Sequence, residues 1–177
     1  MPDAEESGGL HILDVSNPTS PHLVGFAEGG ARDLALDGDF AYIADENNLH
    51  IIDISDPNNP VSVRRLLPKE IMDTRENLHG AAVVGIAASG GIAVVCIETA
   101  GIAFLDVSNP NAPAFLGKVE DVGKTEEASI QGSYAYISGP GIVIDFSDTT
   151  NPQVVGSFSH CVGVAASSSE LAVCNGG

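Results

Sequence analysis

Carboxylates, hydroxyls and histidines recur in this sequence at spacings that invite chemistry. Asp-x-Ser stands four times, as Asp14/Ser16, Asp53/Ser55, Asp106/Ser108 and Asp145/Ser147, and the first three copies continue into Pro18, Pro57 and Pro110. A carboxylate beside a hydroxyl suggests an activated nucleophile. The same pair has a plainer use, since an Asp or Ser oxygen satisfies backbone N–H groups in a turn and proline fixes φ at its start. Four copies doing one job four times favour the turn. The five histidines are His11, His22, His50, His79 and His160. A zinc site needs converging ligands, and His11 and His50 fall at the same position of separate repeats, which predicts partly exposed strand residues. No Gly-x-Ser-x-Gly, Walker loop or His-Glu-x-x-His motif is present.

The elements that must position these groups follow from the spacing. The motif aspartates lie 39, 53 and 39 residues apart. Each ends a short apolar, β-branched run, the signature of a buried strand before a tight turn. A period near 40 residues with strand-like content predicts an all-β protein, a β-propeller with one four-stranded sheet per repeat. The second repeat shows the unit most fully: strand A over 32–37, a turn at Asp37-Gly38-Asp39, strand B over 40–45, strand C over 49–54 and strand D over 61–67. Strands B and C are apolar at nearly every position, as expected where both faces pack on neighbouring blades.

Whole blades are predicted over 31–67, 81–120 and 125–159, with an insertion over 66–80. Residues 8–28 supply a C–D pair, and residues 161–177 an A–B pair. Two arrangements satisfy this pattern. In one, the two half-blades complete each other and close a four-bladed ring. In the other, preferred here because both ends fall inside a strand–turn–strand unit, the chain is an arc of a larger propeller flanked by further blades.

In a propeller the D–A and B–C loops share a face, and strand A begins there beside the central channel. Repeat alignment sets Arg32-Asp33 against Val84-Gly85, Glu126-Glu127 and Val162-Gly163. Arg32, Asp33, Glu126 and Glu127 are therefore expected near one channel mouth, where carboxylates can offer oxygen ligands to calcium or form a solvated acidic rim. The insertion opens on the same face. It is non-repetitive and of mixed charge, and Arg65, Lys69 and Arg75, three of the seven basic residues, lie in or beside it. Lys69, Arg75 and His79 are its candidate contact residues, and 69–77 has room for a turn or two of helix.

Net charge is −17, which disfavours nucleic acid and anionic membranes as partners because phosphate contact needs Lys and Arg. No apolar run is long enough to cross a membrane as a helix. The opening Met1-Pro2-Asp3-Ala4-Glu5-Glu6 lacks the basic and apolar regions of a signal peptide. Of three cysteines, Cys96 and Cys174 occupy the position held by Ala44 and Ser138, which predicts small, buried, inert thiols. A Cys161–Cys174 bridge within one hairpin is the alternative.

Leu49-His50-Ile51-Ile52-Asp53-Ile54-Ser55-Asp56-Pro57, preceded by Phe40-Ala41-Tyr42-Ile43-Ala44-Asp45, resembles the LVIVD repeat. The resemblance extends over nearly the whole chain outside 66–80, departing at Ser138-Gly139-Pro140-Gly141 and in the last half-repeat. It implies a β-propeller and a place in a secreted or cell-surface protein. It implies no defined reaction, so no catalytic residues carry over. The resulting expectation is a non-enzymatic binding or structural module without a cofactor, its partner a protein or a glycan. The alternative is a metal-assisted hydrolase or lyase at the channel mouth, built from Asp33, His79, Glu126 and Glu127.

Overall fold

The computed structural model describes residues 8–45, 47–74, 78, 80–167 and 169–174. Two strands open the chain, β1 (Gly9–Asp14) and β2 (His22–Glu28). A sheet follows from β3 (Asp33–Asp37), β4 (Phe40–Asp45), β5 (Asn48–Asp53) and β6 (Val61–Leu66). After a single helical turn, α1 (Pro68–Ile71), come β7 (Val83–Ser89), β8 (Ile92–Ile97), β9 (Gly101–Asp106) and β10 (Ala114–Val119). The third sheet is β11 (Ala128–Gln131), β12 (Tyr134–Ile137), β13 (Ile142–Asp145) and β14 (Gln153–Ser157), and β15 (Gly163–Ala166) with β16 (Leu171–Cys174) completes the order. Each four-stranded sheet is an antiparallel meander in sequence order, which is the blade of a propeller. Among the described residues, β1–β2 and β15–β16 remain separate two-stranded sheets. The ring is open, and the arc rather than the closed four-bladed ring is the form observed.

Local sequence explains these elements. The A–B turn of the first whole blade holds Gly38 at φ 57°, a left-handed value that glycine adopts without penalty. Every C–D pair carries a β-bulge at the same register, so Val24, Val63, Leu116 and Val155 each lie unopposed. The bulge bends strand D and increases the local twist. The helical turn begins at Pro68, whose ring presets φ and whose missing N–H costs nothing there. Glu70 reaches back to accept a hydrogen bond from Leu67 N at 2.9 Å. The helix is one turn long, starting one residue before the segment with room for a turn or two.

The core is divided among the interfaces between blades. Tyr42, Leu49 and Ile51 of the first whole blade pack with Ile86, Val95 and Leu105 of the second. Val94, Ile102 and Phe104 of the second pack with Ala135, Ile137 and Ile144 of the third. Leu10 of the opening half-blade packs on Ala41, Ile43 and Ile52. Strands B and C thus bury both faces, and each large apolar side chain so buried contributes roughly 1.5–3 kcal/mol.

The repeated Asp-x-Ser turns are structural. Asp14, Asp53, Asp106 and Asp145 each accept a hydrogen bond from the backbone N–H of Ser16, Ser55, Ser108 and Ser147 respectively, at 2.8–2.9 Å. Of the two oxygens that could serve the turn, one does so in all four copies. The aspartate supplies the acceptor, while Ser16, Ser55, Ser108 and Ser147 are exposed and act as donors. The Ser108 hydroxyl donates to the same Asp106 oxygen at 2.6 Å. The physical reason is charge, because an ionised carboxylate is a stronger acceptor than a hydroxyl and draws both the N–H and the O–H to itself. A second turn of the same kind follows, with Asn17, Asp56, Asn109 and Asp148 accepting from the residue two further on.

The serine hydrogen bonds hold all four motif carboxyls below their ordinary value. A depressed folded value means stability that is complete above the unfolded value and is lost as pH falls through the folded one. The melting temperature is therefore expected to fall as pH drops below the ordinary aspartate value of 3.8. A melt series across that range checks this, and a flat profile would show that these bonds add nothing.

The turns also dock on the neighbouring blade, a role the motif alone did not reveal. A Cβ on Gly25 would stand 1.9 Å from the Pro57 carbonyl oxygen, and one on Gly117 would stand 2.4 Å from that of Thr149. The turn of each of these blades thus lies against the preceding strand D where that strand carries glycine. The readable signal was the register: Gly25, Gly117 and Gly156 share one repeat position, with Arg64 in the remaining copy.

Candidate functional site

The A strands β3, β7, β11 and β15 lie side by side along the inner edge of the arc, and their starting ends form one face. Two clefts open there. One, of about 550 Å³, lies between this edge and the insertion, and Arg32, Asn47, Leu67, Pro68, Lys69, Leu78 and Glu98 are among its lining residues. The other, of about 340 Å³, is lined by Arg32, Glu98, Lys124, Thr125, Glu126 and Glu127. Arg32 and Glu98 belong to both, and Glu98 is paired with Lys124 at 3.1 Å. The larger cleft lies within the size range of small-molecule and peptide-anchor pockets.

Arg32, Glu126 and Glu127 are brought together in this way, and Lys69 joins Arg32 across the larger cleft. Arg75 and His79 lie outside the described residues. Asp33 is set differently from its neighbours, because its carboxylate is a clasp between blades. It accepts Ile86 N from the next blade at 2.9 Å and Leu34 N at 2.8 Å. Glu127 repeats the device two interfaces on, accepting a backbone hydrogen bond from Val164. Burial pushes both carboxyls above their ordinary values, opposed by these N–H groups, and repulsion from Asp33 raises Glu127 further. Two acceptors already filled by backbone donors are poor ligands for a cation. Among the described residues no three His, Cys, Asp or Glu side chains come together as a metal-holding group.

Other expectations are corrected. His50 is not partly exposed: it is buried, its Nε2 lies 2.8 Å from Ser62 Oγ, and burial with Arg65 beside it pulls its pKa down to about 4. The ring is neutral and a weak base. His11, at the same repeat position, is exposed and packs edge-on to Phe26 at 5.0 Å. Cys96 is a buried thiol, pushed up by burial and then by Asp33 and Glu127. Cys174 is exposed, and Cys161 rather than Cys174 is the second buried thiol. The hairpin bridge is not formed, all three thiols being free.

Stacked antiparallel meanders with their A strands along one inner edge define the class as β-propeller, here an open arc. The chain belongs to the LVIVD repeat family, whose model matches residues 4–27, 28–67, 80–121 and 122–160. No curated protein matches it. Among solved structures, PorZ, an essential bacterial surface component of the type-IX secretion system of Porphyromonas gingivalis, is similar at 15% identity and a TM-score of 0.54, covering 93% of this chain and 21% of that one. That likeness bears on the fold alone. A glutaminyl cyclase from Myxococcus xanthus aligns at 21% identity and a TM-score of 0.42 over 74% of this chain, which spans 53% of the cyclase.

Proposed function

We propose that this chain is a non-enzymatic binding or structural module of a secreted or cell-surface protein, and that it contacts its partner through the face on which the insertion opens. The observation that carries this reading is the cleft between the insertion and the inner edge. A chain of net charge −17 with seven basic residues brings two of them, Arg32 and Lys69, to one cleft beside apolar Leu67, Pro68 and Leu78. Long loops on a rigid scaffold are the usual carriers of recognition. None of the described lining residues is aromatic. Glycan sites lean on aromatic rings for stacking, so a protein segment with an acidic side chain suits this cleft better than a glycan does. The clasp role of Asp33 and Glu127 weighs on the same side, since it commits the inner carboxylates to structure rather than to acid–base work.

Lys69 is exposed, so Lys69→Glu should leave the melt unchanged. It should weaken binding to an acidic peptide panel about tenfold, the equivalent of about 1.4 kcal/mol. Fluorescence anisotropy with labelled peptides and uronic-acid oligosaccharides as parallel arms reads this. Peptide affinity equal in wild type and Lys69→Glu would overturn the reading, and saccharide binding alone would move the partner to the glycan class.

A further inference from the structure

The smaller cleft, of about 340 Å³, has in its wall a polar group that the fold leaves unanswered. Thr125 is fully buried, and its Oγ1 has no hydrogen-bond partner among the described residues. The Cys96 thiol stands beside it, but sulfur is a weak donor and a weak acceptor. The backbone holds the residue in place, since Thr125 N donates to the Glu98 carbonyl at 3.1 Å. A buried hydroxyl without a partner is destabilising, and native folds carry few of them.

The groups around this hydroxyl define what would answer it. Glu126 lines the same cleft, and its carboxylate makes no ion pair or hydrogen bond among the described residues. Glu127 adds a second negative charge, with Val164 N–H on its carboxylate. Lys124 does not cancel these charges, because it is paired with Glu98 at 3.1 Å. Arg32 stands on the side shared with the larger cleft. Val84 and Val162 supply an apolar wall. Among the described residues these carboxylates do not converge as a metal-holding group. Calcium draws all its oxygens to about 2.5 Å from one centre. An ammonium group asks less, since each of its three N–H donors reaches its own acceptor at about 2.9 Å.

We propose that this cleft binds a primary alkylammonium ion. Its head donates to Thr125 Oγ1 and to the Glu126 carboxylate, and its stem lies against Val84 and Val162. A free aliphatic amine and a lysine side chain both offer this group. The site is separate from the larger cleft, which neither Thr125 nor Glu126 lines.

Calorimetric titration of the full chain with n-butylammonium chloride tests this. Saturable binding is expected, with tetramethylammonium, which has the charge but no N–H, at least about tenfold weaker. Glu126→Gln changes a carboxylate that bonds nothing described in the fold, so the melt should stay while butylammonium binds about tenfold more weakly. Thr125→Val should weaken binding as much. Without amine it should also raise the melting temperature by about 2 °C or more, because the unpartnered hydroxyl is gone. Nα-acetyl-lysine amide forms the second arm. If it binds more tightly than butylammonium, the ligand is a lysine side chain; if more weakly, a free amine. No saturable binding, equal affinity for tetramethylammonium, or wild-type affinity in Glu126→Gln would overturn the proposal. So would a Thr125→Val chain that keeps its affinity.

Discussion

Gly85→Val should lower the melting temperature by roughly 10 °C. The glycine lies buried at the start of β7, where the third blade crosses the second. A Cβ there would stand 2.1 Å from the Glu126 carbonyl oxygen and 2.9 Å from Glu127 Cα. Both neighbours are backbone, so no side chain can swing aside, and the strands of two blades must separate to admit the new atoms. Overpacking of this kind costs about 3 kcal/mol, and each kcal/mol moves the melt of a domain this size by about 2–4 °C. The displacement would also loosen the Glu127 clasp on Val164, which adds to the loss. A thermal melt by circular dichroism measures it. A shift of less than about 2 °C would mean that the two blades are not in contact at this point.

Phe104→Ala should cost about 3–5 kcal/mol. Phe104 is fully buried in strand C of the second blade, and its ring centroid lies 5.3 Å from that of Phe146, which follows β13 in the third. Ala135, Ile137 and Ile144 surround the same cluster. Interior side chains are close-packed, and neighbours held by two hydrogen-bonded sheets cannot collapse into the space, so the cavity term adds to the lost burial. Phe104→Leu, which retains most of the volume, should recover about half of the loss. Chemical denaturation separates the two variants. Equal midpoints for wild type and Phe104→Ala would show that the second and third blades do not depend on this contact.

The parts of the fold legible in the residues are those that local chemistry dictates. Asp14, Asp53, Asp106 and Asp145 bond Ser16, Ser55, Ser108 and Ser147 whatever surrounds them, so their spacing reported the repeat directly. The apolar runs at 40–45 and 49–54 announced strands buried on both faces, and β4 and β5 are so buried. What escaped depends on contacts between residues far apart in the chain. His50 and His11 share a repeat position, yet one is buried and the other exposed. Cys96 and Cys174 also share one, and Cys174 is exposed. The strand register is common to each pair; the neighbouring half-blade that would cover the outer copy is not.

The candidate site divides in the same way. Repeat alignment was enough to set Arg32, Glu126 and Glu127 toward one face, because strand A enters every blade from the same side. That Asp33 and Glu127 spend their oxygens on Ile86 and Val164 was beyond it, since those partners belong to the next blade and backbone N–H groups carry no sequence signature. The blade, its turns and its period are written in the residues themselves, through hydrogen bonds spanning two or three positions and runs of apolar side chains. The clasps between blades and the cleft joining Lys69 to Arg32 came only with the folded chain. Each of these depends on how one sheet packs on the next, which is set by shape complementarity across the whole interface and not by any residue type.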